Sequence, residues 1–289
     1  MDSIRIRMAM STFPFVTPAL AARLETAIFA FSVAKMQALR SFPGNPYGIE
    51  IRTFGGATAL LATAIHNGEL FNRVGNISDV DPPFFDAIID WYHARGTQCH
   101  FDMLPSAQPE FLWKLASRGY YQYGFYTTLY STPQTNDMLP ATITLRPVLP
   151  EESHLFAQIY LESFGIAQPT IIPHLRESVR LLVNLPHTHC LFALQIGTIT
   201  AIAALFIHQE IGYLALAATL PAYRGQGLQK ALLLARMARA AAEGCTLMVG
   251  QDTFASTSQQ HMEKVGLHIA YTKALWTRYD SQGAPIPPT

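Results

Sequence analysis

Apolar residues recur at helical spacing through "ALAARLETAIFAFSVAKMQAL", and Thr17-Pro18 just ahead of it reads as an N-cap followed by proline at the first helical position. Farther on, the period switches between helix and strand in a fixed order. "PFFDAIIDWYHARG" reads as a helix, "TQCHFDML" as a strand, "PEFLWKLASRG" as a helix and "YYQYGFYTTLY" as an aromatic strand. After the polar, proline-bounded stretch "STPQTNDMLPAT", the order returns as "QKALLLARMARAAAEG", "CTLMVGQD", "TSQQHMEKVG" and "LHIAYTKALW". Gly96 and Gly119 lie 23 residues apart in the first run, Gly244 and Gly266 22 apart in the second, and each glycine sits where a helix should end. The repeat predicts two related α/β units. Their bounds are residues 1–132 and 142–280, with a linker at 133–141 and a flexible tail at 281–289.

Within the second unit the apolar strand "EIGYLALAATL" runs into Pro221, and "AYRGQG" follows before a helix begins near Leu228. A glycine-bearing turn at a helix start exposes amides that have no intrahelical partner, and the helix dipole adds positive potential there. Arg224 could add a bidentate phosphate donor. Those properties suit a diphosphate, yet a plain strand-to-helix connection fits the spacing equally well, and neither GxGxxG nor GxxxxGK[ST] is present. The first unit is an internal control. At the matching place "FNRVGNISDVDPPFF" puts Asp79, Asp81 and Pro82-Pro83 at the helix entry, where acid repels phosphate and proline lacks a donor. If one unit holds a phosphorylated ligand, it is the second.

At these residues the sequence resembles the GNAT-type, acetyl-CoA-dependent N-acetyltransferases. Thr219-Leu220-Pro221 stands for the strand-ending V-x-P tripeptide, and Arg224 with Gly227 satisfies most of [Q/R]-x-x-G-x-[G/A]. Glu263, Lys264, Gly266 and Leu267 match the family's E-K-x-G-F ending. The resemblance covers residues 142–280 with specific motifs and residues 45–130 by pattern and order alone. It implies an α/β (α+β) protein of two tandem GNAT-like domains, the N-terminal copy degenerate, each a mixed, mostly antiparallel sheet flanked by helices. It further implies acetyl-CoA as acyl donor and direct transfer to a primary amine in a ternary complex. The diphosphate would rest on main-chain amides of Arg224, Gly225, Gln226, Gly227, Leu228 and Gln229, and the pantetheine would run beside Ala217, Ala218 and Thr219. A main-chain N–H near Ala217 or Ala218 would polarise the thioester oxygen. Two positions depart from the pattern. Gln229 takes the third small place, and Met262 stands where many members keep a tyrosine acid, so Tyr271, His261 or solvent would have to serve.

The attacking amine must lose a proton, and His208 and Glu210 in "FIHQEIGYL" are spaced i, i+2 just before the cofactor strand. Glu210 is the preferred base, although the same "HQE" also reads as a polar hairpin between two apolar strands. A non-catalytic acyl-CoA sensor or interaction scaffold is the alternative from another class, and a hydroxyl acceptor is not separable from an amine by motif.

The remaining composition narrows the partners. Twenty basic residues balance twenty acidic ones, which argues against nucleic acid. Arg5 and Arg7 ahead of "MAMSTFPFVTPALAA" loosely resemble a signal peptide, but the N-cap reading is better, and Arg23, Glu25 and Lys35 interrupt the segment that would have to span a membrane. Cys99, Cys190 and Cys245 form no disulfide pattern, which suits the cytoplasm, and "HTHC" lacks a fourth ligand, so no metal is expected. Trp91, Tyr92, Trp113, Tyr120, Tyr121 and Tyr123 could line an apolar pocket, but they read as core rather than as a binding pocket. The expected partner is a small-molecule or peptide amine, and the chain is expected to be a monomer or homodimer.

Overall fold

A computed structural model describes residues 14–65, 70–77, 82–135 and 140–278. The expected tail, the centre of the linker, the Arg5–Arg7 segment, Asp79 and Asp81 lie outside the described residues. Among the described residues eleven strands form one sheet, β1 (Ile49–Phe54), β2 (Ala57–Ala62), β3 (Arg73–Gly75), β4 (His100–Met103), β5 (Tyr121–Ser131), β6 (Ile143–Pro147), β7 (Thr188–Gln195), β8 (Thr198–His208), β9 (Ile211–Thr219), β10 (Leu247–Thr253) and β11 (His268–Thr277). The α-helices among the described residues flank it, α1 (Pro18–Arg40), α2 (Pro82–His93), α3 (Pro109–Ser117), α4 (Ser153–Phe164), α5 (Ile172–Arg180), α6 (Leu228–Ala242) and α7 (Thr257–Lys264). Both halves follow the order read from the sequence. Thr17 caps α1 by accepting the Leu20 amide at 3.1 Å, and Gly96, Gly119, Gly244 and Gly266 all take positive φ after their helices.

The repeat does not reveal how the halves join. The strand order is β1-β2-β3-β4-β11-β5-β10-β9-β8-β7-β6, so the last strand of each half has crossed into the other. β5 lies between β11 and β10, and β11 lies between β4 and β5, all antiparallel. Each half keeps one parallel pair, β3 with β4 and β9 with β10, and the other pairs are antiparallel. The exchange makes two predicted sheets continuous and places first-half residues beside second-half strands.

Long apolar strands explain why the helices pack as they do. Phe31 of α1 and Phe156 of α4 bury one face of β7–β9 with Phe192, Ile202 and Ala218. Leu233 and Met237 of α6, with Met262 of α7, cover the other face against Leu205 and Met248. Under α1 the core contains charge. Lys273 on β11 is fully buried and holds Glu25 at 2.8 Å and Asp102 at 2.9 Å, while Arg73 pairs with the same Asp102. Two cations therefore match two carboxylates, as buried ions require. Burial lowers the Lys273 pKa to about 8.

Candidate active site

The parallel ladder between β9 and β10 runs only from Leu247–Ile211 to Val249–Tyr213. Both strands continue, β10 to Thr253 alongside β5 and β9 to Thr219 alongside β8. A wedge therefore opens in the sheet beyond Tyr213. It holds a cavity of about 310 Å³ reached by Tyr126, Tyr213, Gln251 and Met262, and an adjoining one of about 440 Å³ toward the glycine turn. Ala217, Gln229, Asp252, Ser258 and His261 line both.

The ladder determines which main-chain groups of β9 face this space. The Leu220 amide donates to the Thr200 carbonyl at 3.0 Å, so Ala218 opposite Ile202 and Leu216 opposite Ala204 are also hydrogen-bonded pairs. Ala217 and Thr219, between them, turn their N–H and C=O toward the wedge. Of the two expected positions for a polarising amide, Ala217 is the one that faces the wedge. The Ala218 amide belongs to the ladder with β8.

At the mouth, β9 ends at Leu220-Pro221, and a short 3-10 turn over Pro221–Tyr223 redirects the chain. Arg224 is extended, and Gly225 and Gly227 adopt φ of 76° and 84°, a region that costs an L side chain roughly 1–2 kcal/mol. Gly227 is the N-cap of α6 and offers no side-chain acceptor, unlike Ser256, which accepts the Gln259 amide at the start of α7. The first amides of α6 are thus left to an outside acceptor. The uncapped amides, the two left-handed glycines and the outward-facing Ala217 and Thr219 together fit a pantetheine diphosphate.

Two of the turn's long side chains are occupied. Arg224 donates from Nη2 to the Ser163 carbonyl at 2.6 Å and from Nε to the Thr219 carbonyl at 3.4 Å. Its guanidinium caps the end of α4, which corrects the expectation of a phosphate fork. Gln229 donates its amide to Thr219 Oγ1 at 2.8 Å, folding along the wedge wall. Gln226 and Leu228 belong to the same turn and helix start, and Leu228 also lines the larger cavity.

The expected catalytic side chains lie elsewhere. Gln209 and Glu210 form the two-residue turn of the β8–β9 hairpin, at the end of β9 opposite the glycine turn. Seven residues of strand, roughly 23 Å, separate Glu210 from Ala217. Glu210 pairs with Arg23 at 2.6 Å and accepts from Thr246 Oγ1 at 3.0 Å, both at the surface. His208 pairs with Ile211 beside that turn, and burial lowers its pKa, helped by His187. Tyr271 is misplaced for a different reason. It sits on β11, and the strand exchange inserts β5 between β11 and the wedge. Its hydroxyl donates to Glu25 Oε1 at 2.8 Å, and burial with the Glu25 charge raises its pKa far above the phenol value.

The exchange brings other groups to the wedge. Tyr126 of β5 pairs with Thr253, and Arg73 of β3, which reaches the smaller cavity from the first half, is nearly buried. His261, one residue before Met262, lines both cavities, and its pKa is lowered by burial and then by Lys264. Met262 is itself buried and packs over Gly250, where a Cβ would collide with its sulfur. Among the described residues, no three His, Cys, Asp or Glu converge as metal ligands, and no helix is long and apolar enough to cross a membrane.

Residues 154–266 match the model of the acetyltransferase (GNAT) family. The second half carries a GNAT domain. β9, β10, the glycine turn and α6 all fall within the matched span. A comparison with curated protein sequences returned no match. Solved structures extend the likeness over both halves. A GCN5-related N-acetyltransferase from Kribbella flavida is 18% identical with a TM-score of 0.61, covering 91% of this chain and 97% of its own. A GCN5-related N-acetyltransferase from Sphaerobacter thermophilus is 16% identical at 0.58, with coverage of 94% and 96%. A tandem GNAT protein from the clavulanic acid biosynthesis pathway is 14% identical at 0.54, with coverage of 89% and 95%. At these identities the likeness is one of fold, and the GNAT domain in the second half supports an acyl-transfer function.

Proposed function

We propose that this protein is an acyl-CoA-dependent N-acyltransferase, moving an acetyl group from acetyl-CoA to a primary amine by direct attack. The observation that carries this reading is the parting of β9 from β10 after Tyr213, with the uncapped start of α6 at its mouth. Main-chain amides of Gly225 to Gln229 would take the diphosphate, and Ala217 and Thr219 would take the pantetheine arm by extending the ladder. Bound acetyl-CoA supplies the activated acyl group. The Ala217 N–H would act on the developing oxyanion, worth about 3 kcal/mol for one fixed donor. His261, held mainly neutral by burial and Lys264, would accept the ammonium proton directly or through one water. As the new N–C bond forms, the C–S bond breaks and the sulfur leaves as thiolate, which needs no strong acid given a thiol pKa of about 8.5. The acceptor would enter beside Tyr126 and Arg73, so the first half would help to select it.

Calorimetry with acetyl-CoA tests the cofactor claim, and thiol release against a panel of amines tests the reaction. No heat at high micromolar acetyl-CoA would remove the reading. The buried thioether of Met262 in the place of a protic group favours a second reading, in which the domain binds acyl-CoA without turning it over. Binding without thiol release for any amine would select it.

A further inference from the structure

Arg236 is the anomaly of the second half. It lies in the middle of α6, is 2% exposed, reaches the cavity of the wedge, and has no carboxylate partner among the described residues. Burial alone lowers its pKa, to about 9. A guanidinium in such a place is costly unless its donors do something an apolar side chain could not. Nε donates to the Leu232 carbonyl at 3.0 Å on its own helix, which fixes the side chain. Nη1 donates to Leu216 on β9 at 3.1 Å and to Ala204 on β8 at 3.4 Å.

Those two carbonyls belong to one another's pair, and that pair is the last before a fault in the ladder. Ala204 faces Leu216, but two residues on, Phe206 faces Tyr213, so β9 carries one extra residue across Leu214 and Ala215. A bulge of this kind reverses which residues of a strand face which neighbour. Below it Gly212 looks toward β10, where it pairs with Met248. Uninterrupted alternation would send Leu216 and Ala218 the same way. Because of the bulge, Ala217 and Thr219 face the wedge instead.

We infer that Arg236 is a positioning residue that pins this bulge between Ala204 and Leu216 and thereby decides that the Ala217 amide, not that of Ala218, is presented to the acyl thioester. The role rests on the acyltransferase reading above, whereas the pinning does not. An apolar side chain from α6 could fill the same volume but could not hold a carbonyl from each strand. Without that clamp the extra residue is free to move along β9, and each step reverses the facing of every group it passes.

The test is residue-resolved amide exchange on the full chain, for wild type and for Arg236→Met and Arg236→Gln, with and without acetyl-CoA. In wild type the Leu216 and Ala218 amides should exchange slowly and Ala217 quickly, with saturating acetyl-CoA slowing Ala217 at least tenfold. Arg236→Met should lose at least tenfold protection at Ala218 while β7 retains its own. Arg236→Gln, which keeps an NH2 donor on a shorter side chain without the Nε anchor, should lose less. Unchanged protection at Ala218 in a folded Arg236→Met overturns the inference. Should that variant not fold, unchanged Ala218 protection in Arg236→Gln overturns it equally. Failure of acetyl-CoA to slow Ala217 in wild type overturns the acyltransferase reading and the assigned role with it, while an unchanged variant pattern overturns the clamp alone. The infrared carbonyl band of bound [1-13C]acetyl-CoA gives a second readout. It should fall in frequency on wild type and return toward the free value on Arg236→Met, and an equal shift on both proteins overturns the assigned role.

Discussion

Gln229 donates its side-chain amide to the Thr219 hydroxyl at 2.8 Å, joining the first turn of α6 to the last residue of β9 across the mouth of the wedge. The contact locks together the two elements that would hold the two ends of a pantetheine diphosphate. A neutral hydrogen bond of this kind is worth about 1 kcal/mol. Gln229→Ala should therefore raise the acetyl-CoA Kd about fivefold with little change in Tm, as read by calorimetry. Tighter binding would mean that the side chain obstructs the ligand rather than shaping its site.

His261 and Glu210 make opposite predictions. If His261 takes the amine proton, His261→Gln should lower kcat by about 10²–10³ with acetyl-CoA affinity within threefold. Glu210→Gln, at the far hairpin turn, should leave kcat unchanged. Steady-state thiol release with one active amine decides between them.

Lys264 lowers the His261 pKa by charge, so its removal should raise it. Lys264→Ala should then move the acidic limb of the kcat/KM profile to higher pH. An unmoved limb would assign that limb to another group.

Lys273 neutralises two carboxylates in the core, and Lys273→Met leaves Glu25 and Asp102 with one cation between them. The expected loss is about 3–5 kcal/mol, the range for breaking a buried pair. Adding Glu25→Gln should restore part of it. Urea denaturation of the single and double variants measures both, and a single variant within 1 kcal/mol of wild type would contradict the description of the cluster.

Stability should also fall in mild acid. His93, His189, His208 and His261 all have folded pKa values below the ordinary imidazole value, each mainly through burial. The unfolded chain then binds more protons than the folded one once the pH drops below about 6.5. Their contribution is complete above that value and declines as pH falls toward the folded pKa values. Scanning calorimetry should give a lower Tm at pH 5.5 than at pH 7.5.

Much of the architecture was legible in one dimension because its causes are local. Helix caps such as Thr17 and terminal glycines such as Gly244 act within a few residues, and period 2 or 3.6 in the apolar positions names the element type. The glycine turn was legible for the same reason, since positive φ at Gly225 and Gly227 is a demand of the backbone itself. Two side chains in that turn were not. Arg224 is taken by Ser163, 61 residues earlier in the chain, and no local pattern announces such a partner.

The catalytic side chains were harder, because a sequence does not say which end of a strand is which in space. "HQE" was open to two readings, and the hairpin turn at Gln209 and Glu210 decides for the structural one. Tyr271 could be placed on a final strand, but not on the far side of a strand from the first half.

By itself the sequence determined the order of elements, their repetition, and which repeat has a helix entry compatible with a phosphate, all consequences of short-range sterics and hydrophobic periodicity. Tertiary structure alone decided the exchange of β5 and β11, the first-half residues Tyr126 and Arg73 in the second-half wedge, and the bulge that turns Ala217 toward it. Each of these depends on pairing between strands far apart in the chain. Backbone hydrogen bonding is nearly indifferent to side-chain identity, so the choice of partner strand is written in the packing of the whole sheet.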